Sequence, residues 1–398
     1  MKYFDVCIIG GGHSGLVTAL AFAKNNFKVL CVEKKSIHEH ETSEKKLELR
    51  TTAHLMPAVT FLDNIGIWKH LKKHSCPLKT LKLINNTQTG KAPSKISENI
   101  FDSEEIGKNC FGYNVPLEKS IKVLRQNILS NENIAFYDST SVVSSSIDNE
   151  LRTVQLSNGE IIKTSLLIGA DGSSSAVRNF FNISVFEKNT QQIALTFNVK
   201  HEIEHKNISF EIYRAGGPLT TVPMMDDNHG VHSSIVWMNK KEIAEDLLRL
   251  NKKEFSNVLN ERSQHCLGRM ETISEVIDIP VKFMVAKHII SERVALIGEA
   301  AHKLPPIGAQ GFNMSVKDIE ILLNLALENR SAVGSSEMLN KYQIKRYPDI
   351  LSKSGSVGFL NLLAYSEQIP LQKLRAFGLQ TIDNISILKR TIMRFGIG

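Results

Sequence analysis

Ten residues in, the chain interrupts an apolar run with three consecutive glycines. Val6-Cys7-Ile8-Ile9 leads into Gly10-Gly11-Gly12-His13-Ser14-Gly15, and Leu16 to Lys24 follows with the character of a helix. Read as G-x-G-x-x-G, this is the turn between a buried strand and a helix in a dinucleotide-binding unit. Gly10 permits the tight turn, Gly12 lets the backbone approach a pyrophosphate, and Gly15 lets helix and strand pack closely. The helix N-terminus then offers free N–H groups to the phosphates. The next apolar run, Lys28–Val32, ends at Glu33, about where the fingerprint expects, roughly 20 residues on, an acid for the ribose. The same glycines could form a turn with no ligand, but the intact order of strand, turn, helix, strand and acid favours the cofactor.

Two later segments repeat the design. Leu166-Leu167-Ile168 reads as a buried strand, and Gly169-Ala170-Asp171-Gly172 turns out of it into Ser175-Ala176-Val177-Arg178. Val294–Ile297 reads as another strand, followed by Gly298-Glu299-Ala300-Ala301-His302, then Pro305-Pro306-Ile307-Gly308-Ala309-Gln310-Gly311-Phe312-Asn313 and a helix from about Met314 to Leu327. In open α/β sheets, ligands bind at the carboxyl ends of strands. Three such turns describe a cradle for FAD rather than NAD.

These residues resemble the class A flavoprotein monooxygenases, the para-hydroxybenzoate-hydroxylase-like enzymes. Within that superfamily the chain is most similar to the ubiquinone-biosynthesis flavin hydroxylases (UbiH/UbiF type). The likeness runs through Arg50-Thr51-Thr52-Ala53, Gly217-Pro218 with Val222-Pro223, Ser233–Trp237, Gly308–Asp318, and Pro370-Leu371 with Arg375 and Gly378-Leu379. It implies an α/β fold: a Rossmann-like FAD-binding domain of the glutathione-reductase type, a β-sheet substrate domain and a C-terminal helical tail. The implied activity is hydroxylation of a polyprenylphenol ring through a flavin hydroperoxide, with NAD(P)H or another electron donor as reductant and dioxygen as co-substrate. Gly10, Gly12, Gly15 and Glu33 are assigned to the ADP half of FAD, and Arg50 to a phosphate or sugar. Asp171 and Glu299 are assigned to hydroxyls or phosphates, and Gly308, Gly311 and Asn313 to the flavin ring. Gly172, Gly298, Pro306 and Phe312 complete the cofactor-binding set, and no metal site is expected. The chain also departs from the family: Glu299 replaces the usual Asp, Pro305-Pro306 stands for His-Pro, and Ala309-Gln310-Gly311 for Gly-Gln-Gly.

The expected FAD-binding domain is discontinuous, at 1–71, 109–183 and 285–347, with the substrate domain at 72–108 and 184–284 and the helical region at 348–398. Leu117–Leu129 reads as a helix, Ile134–Tyr137 as a strand, and Asn158-Gly159 as a hairpin turn. Ile193–Val199, Ile208–Tyr213 and Ser233–Trp237 read as strands, with one helical stretch from about Lys240 to Arg262. At 398 residues and 42% hydrophobic, the chain can bury a sizeable core. The five scattered cysteines argue for a reducing cytoplasm, and no window approaches the roughly 18 apolar residues of a membrane span. From Pro370 on, Lys373, Arg375, Lys389, Arg390 and Arg394 face the single acid Asp383 among regularly spaced apolar residues. That pattern fits a helix lying on an anionic membrane surface, such as the inner membrane, or one packing its apolar stripe on the enzyme's own core. Expected partners are a hydrophobic prenylphenol, with peripheral membrane contact or a ubiquinone-biosynthesis enzyme complex. The formal charge of +7 comes with no nucleic-acid motif.

A phenol is hydroxylated more easily once its oxygen is deprotonated or hydrogen-bonded, so a His or Tyr near the flavin is expected. His54, Tyr213 and His302 are the candidates. His302 follows the flavin-binding turn but could equally order the loop before Pro305, and a lone histidine such as His54 is more often packed than catalytic. Other readings are a flavin hydroxylase of a soluble aromatic compound, an FAD-dependent prenyl reductase, and a non-catalytic flavoprotein in a biosynthetic complex. Trp68 and Trp237 are isolated, which disfavours a flavin-dependent halogenase.

Overall fold

A computed structural model of the chain describes residues 1–36, 50–89, 92–148, 150–214, 216–228 and 230–397. Its first sheet is built on the buried run Val6-Cys7-Ile8, in which each residue is fully enclosed, as expected of a parallel strand covered on both faces. Strand Lys2–Ile9 pairs in parallel with Val29–Val32 on one side and Ile161–Gly169 on the other, and Val294–Leu296 extends the sheet beyond the latter. The register sets Ile9 opposite Val32 and Gly169, and Gly169 opposite Leu296. All three glycine turns therefore leave the sheet at one edge. Helix His13–Lys24 is buried from Gly15 to Ala23, and it packs against the Leu117–Leu129 and Gln310–Glu328 helices. Cys7 and Cys31 lie in this core, and all five cysteines are free.

Among the described residues the second sheet has nine strands. Thr80–Thr89 and Ala92–Asp102 join it through a parallel pairing with Ile208–Arg214, and Gly217–Pro223, Val231–Lys240, Val185–His201 and Ile277–Ala286 continue it. Its two faces follow from the period of two along each strand. Leu195, Phe197, Ile212, Leu219, Ile235 and Trp237 pack with Leu247, Phe255 and Leu259 from two helices. The alternate positions, among them Thr196, Glu211, Tyr213, Thr220 and Val236, line a cavity instead. The stretch read as one helix from Lys240 is two, Lys241–Arg249 and Lys252–Arg262. Asn251 starts the second by accepting from the N–H groups of Lys253 and Glu254 at 3.1 and 3.0 Å, a capping box that stops the first helix.

Three helices close the chain: Ser336–Tyr365, Ile369–Asn384 and Ser386–Ile397. The first runs straight through Pro348, so the boundary expected there falls inside a helix. A small sheet of Thr51–Leu55, Cys76–Leu78 and Gly112–Pro116 sits near the first glycine turn.

Candidate active site

The glycine turns open into one cavity of about 1520 Å³ that continues along the second sheet to the terminal helices. Pockets for drug-sized ligands measure roughly 300–1,000 Å³, so this larger space suits a dinucleotide cofactor and a second molecule. At its mouth Gly10 has φ +113°, and an added Cβ would stand 2.5 Å from the Ala170 carbonyl. A Cβ on Gly15 would lie 1.8 Å from the Gly10 oxygen, whereas one on Gly12 would meet nothing within 4 Å. Gly10 and Gly15 thus serve the turn itself, and Gly12 borders free space. The helix that follows has no side-chain cap, leaving its first N–H groups to a ligand.

Each Glu33 oxygen holds the loop, one accepting from Gly11 N at 2.5 Å and the other from Lys35 N at 2.9 Å. A carboxylate has about four acceptor positions, so ribose hydroxyls could still be bound. Arg50 is exposed on the cavity rim. Asp171 lines the cavity while it accepts from Ser175 Oγ at 2.5 Å and from Val177 N at 3.0 Å, at the start of the Ala176–Phe180 helix. Its carboxylate shapes the turn, and Gly172, with φ +80°, faces open space. Arg178 ties this turn to the third motif by donating to the Ala300 carbonyl at 2.9 Å and the Ser173 carbonyl at 2.8 Å.

In the third motif Gly298 does not line the cavity; its N–H donates to Asp318 Oδ2 at 2.9 Å. Glu299 does line it, paired with Lys303 at 3.4 Å. Pro306, Gly308, Gly311 and Phe312 line the next stretch. The helix begins at Gln310 rather than near Met314, because Ala309 adopts φ 56° as its N-cap, without a side-chain cap. A Cβ on Gly311 would also meet nothing within 4 Å. Asn313 is a clip, not a lining residue: its side chain accepts from Leu55 N at 2.8 Å and donates to the Ala53 and Ala309 carbonyls at 2.9 and 2.6 Å.

The candidate bases separate. His302 is buried away from the cavity, its Nε2 bonded at 2.7 Å to Asp318 Oδ2, while Arg346 Nε donates to Asp318 Oδ1 at 2.5 Å. Burial alone would raise the Asp318 carboxyl, but His302 and Arg346 outweigh it and hold it below its ordinary value. His302 therefore orders the loop before Pro305. His54 is also enclosed, tilted against Phe312 at 4.7 Å, and neither ring nitrogen has a partner among the described residues. Burial pushes it down to about 3, so it is a neutral packed ring. Tyr213 alone of the three lines the cavity, donating to Glu211 Oε1 at 2.9 Å. Sequence reasoning gave no role to His13, which stacks on Phe312 at 3.9 Å and bonds Ser120 Oγ at 2.8 Å. It likewise missed Asp318 and Arg346; Asp318 closes the quoted Gly308–Asp318 segment, a signal that was present.

Two uncapped helix N-termini, two open glycines and a cavity of this size fit FAD. The model of the FAD binding domain family matches residues 3–350. Over 100% of its length the chain is 26% identical to the ubiquinone hydroxylase UbiL of Rhodospirillum rubrum, covering 90% of that protein. It is 24% identical to the 3-demethoxyubiquinol 3-hydroxylase of Escherichia coli, over 99% of this chain and 98% of that one. Among solved structures it is similar to p-nitrophenol 4-monooxygenase PnpA of Pseudomonas putida, with a TM-score of 0.77, 17% identity, and coverage of 100% of this chain and 99% of that one.

Proposed function

The chain belongs to the FAD binding domain family, and from that premise we propose that it is an FAD-dependent monooxygenase that hydroxylates the ring of a polyprenylphenol in ubiquinone biosynthesis. One observation carries the reading: the space that would hold FAD is continuous with an apolar chamber walled by Leu363, Leu379, Ile382, Met393 and Ile397 of the terminal helices. A soluble hydroxybenzoate needs no such chamber; a prenyl chain does, since each buried CH₂ contributes about 0.8 kcal/mol. The ubiquinone hydroxylase and 3-demethoxyubiquinol 3-hydroxylase names of the relatives point the same way.

Bound FAD, reduced by NAD(P)H or another donor, supplies with dioxygen the electrophilic oxygen that an aromatic ring accepts. The chain's residues bind and shield. The N–H groups beyond Gly12 would hold the pyrophosphate, Glu33 the ribose, and Glu299 with Lys303 the sugar chain. The uncapped N-terminus of the Gln310–Glu328 helix would favour the negative charge that a bound flavin ring gains on reduction. Leu81, Leu83, Val222, Val236 and Ile279 of the second sheet would help to keep water from the reacting centre.

The substrate enters from a membrane surface. Phe359 and Phe395 line the cavity and are also 53% and 51% exposed, and the terminal helices further expose Phe377, Ile387 and the cations Lys373, Arg390 and Arg394. Among the described residues no helix is long and apolar enough to cross a membrane; the proposed contact is peripheral, on the cytoplasmic face of the inner membrane, alone or within a biosynthetic complex. The test is lipid extraction from a strain lacking the gene. Accumulation of a prenylphenol one oxygen short is expected, and an unchanged quinone profile would refute the reading.

A further inference from the structure

The wall that the second sheet gives the cavity carries the cations Lys282 and Lys303 and, among the described residues, one acid, Glu211. Glu211 and Tyr213 stand two residues apart on the Ile208–Arg214 strand, so both face the cavity while Phe210 and Ile212 face the opposite core. Each is 8% exposed, and Tyr213 Oη donates to Glu211 Oε1 at 2.9 Å. A buried carboxylate among apolar groups is costly, and one in a cleft is a candidate for function.

The terminal helices add a cation. Arg375, 5% exposed, lies over the Tyr213 ring at 5.2 Å from its centroid. Its Nε donates to Asn85 Oδ1 at 2.7 Å and its Nη1 to the Leu363 and Ala364 carbonyls at 2.9 and 3.3 Å. Nη2 has no hydrogen-bond partner among the described residues, although the side chain lines the cavity. A buried donor without an acceptor, beside a hydroxyl that leads to a carboxylate, suits a ligand oxygen that carries a proton to give up.

We propose that Glu211, Tyr213 and Arg375 form the seat of the substrate's phenolic hydroxyl, with Glu211 taking its proton through Tyr213 and Arg375 donating to the oxyanion left behind. This rests on the phenol reading above. The substrate O–H bond breaks and its proton forms a bond to Tyr213 Oη. The proton already on Tyr213 passes to Glu211 Oε1, and the negative charge moves from the carboxylate to the phenolate, with no change of oxidation state. The phenolate ring is the more electron-rich partner for an electrophilic oxygen. Burial and neighbouring Glu211 hold Tyr213 well above its ordinary range, so it serves as a relay and not as the final acceptor. Burial also raises the Glu211 carboxyl, making it a stronger base than a solvated one. The groups facing the pair are Asn85 and Thr220, across the two neighbouring strands, and Arg375; Arg262 is the further cation whose field couples to Arg375.

The probe is a 4-nitrophenol carrying a prenyl chain, whose ionisation shifts its absorbance, bound at pH 6 to FAD-loaded oxidised enzyme without reductant. Wild type should bind it as the phenolate. Glu211→Gln and Tyr213→Phe should bind it as the neutral phenol, Glu211→Asp should partly restore the phenolate band, and Arg375→Lys should weaken it. With a prenylphenol substrate, Glu211→Gln should lower kcat by about 10²-fold or more while KM changes less. Undiminished FAD content and melting temperature check that the variants fold. The same phenolate band in folded Glu211→Gln protein would overturn the relay while leaving the phenol reading intact. Failure of wild type to bind the probe would overturn both.

Discussion

Gln310 Nε2 donates to the Gly396 carbonyl at 2.9 Å, joining the first residue of the helix that faces the FAD cradle to the last turn of the terminal helix. The cavity is thereby closed by a segment from the far end of the chain. Met393 is the one buried residue of that helix, and Lys389 anchors it further through an ion pair with Glu105 at 2.9 Å. Gln310→Ala should cost about 0.5–1.5 kcal/mol, felt locally. Amide exchange across 386–397 should accelerate by up to about tenfold, with the sheets unchanged.

Gly12 and Gly15 make a contrast within one motif. Gly12→Val places methyl groups where no protein atom lies within 4 Å, so the apo fold should melt normally and the purified protein should lack the yellow flavin spectrum. Gly15→Ala brings a Cβ to 1.8 Å from backbone and should destabilise the fold itself. Thermal melts of the apo proteins separate the two effects, and a Gly12→Val protein with full flavin would contradict the assignment.

Ala309 occupies a glycine's conformation at φ 56°. Relief of that strain is worth roughly 1–2 kcal/mol, against about 0.4–1 kcal/mol for the extra freedom glycine gives the unfolded chain. Ala309→Gly should therefore stabilise the protein slightly, which denaturant unfolding would detect.

Three buried groups contribute to the response to acid. His54, pushed down to about 3 by burial, binds a proton more readily unfolded than folded. Its contribution is complete above the unfolded value near 6.5 and is lost as pH falls from there toward 3, at up to about 1.4 kcal/mol per unit. Buried His13, held low by burial and by His54, adds a slope of the same sign, so His54→Phe should flatten but not abolish the loss. Asp318 acts lower down: its carboxyl is held below 3.8 in the fold, so its stabilisation is present above that pH and lost below it. Asp318→Ala leaves Arg346 without its buried partner and should cost about 3 kcal/mol, the low end because Asp349 still pairs with Arg346.

The strands and glycine turns of the first sheet were legible because each is a local pattern. Helix Leu117–Leu129 and strand Ile134–Tyr137 fall where periodicity places them. The start of the Gln310–Glu328 helix was misjudged because a left-handed Ala309 cannot be inferred from residue type. The Asn251 box, N-x-x-E, was readable in the sequence and would have split the Lys240–Arg262 stretch. The distant side-chain partners were not readable: nothing local joins His302 to Asp318 and Arg346, or Arg375 to Asn85, 290 residues apart in the chain. A buried acid such as Glu211 stands out only when its strand's two faces are known.

The most direct test supplies the purified, FAD-loaded enzyme with NADPH and ¹⁸O₂, and with either a prenylphenol or a water-soluble hydroxybenzoate. Mass spectrometry should find one ¹⁸O atom in the prenylphenol ring and little or none in the hydroxybenzoate. Efficient labelling of the hydroxybenzoate alone would contradict the account.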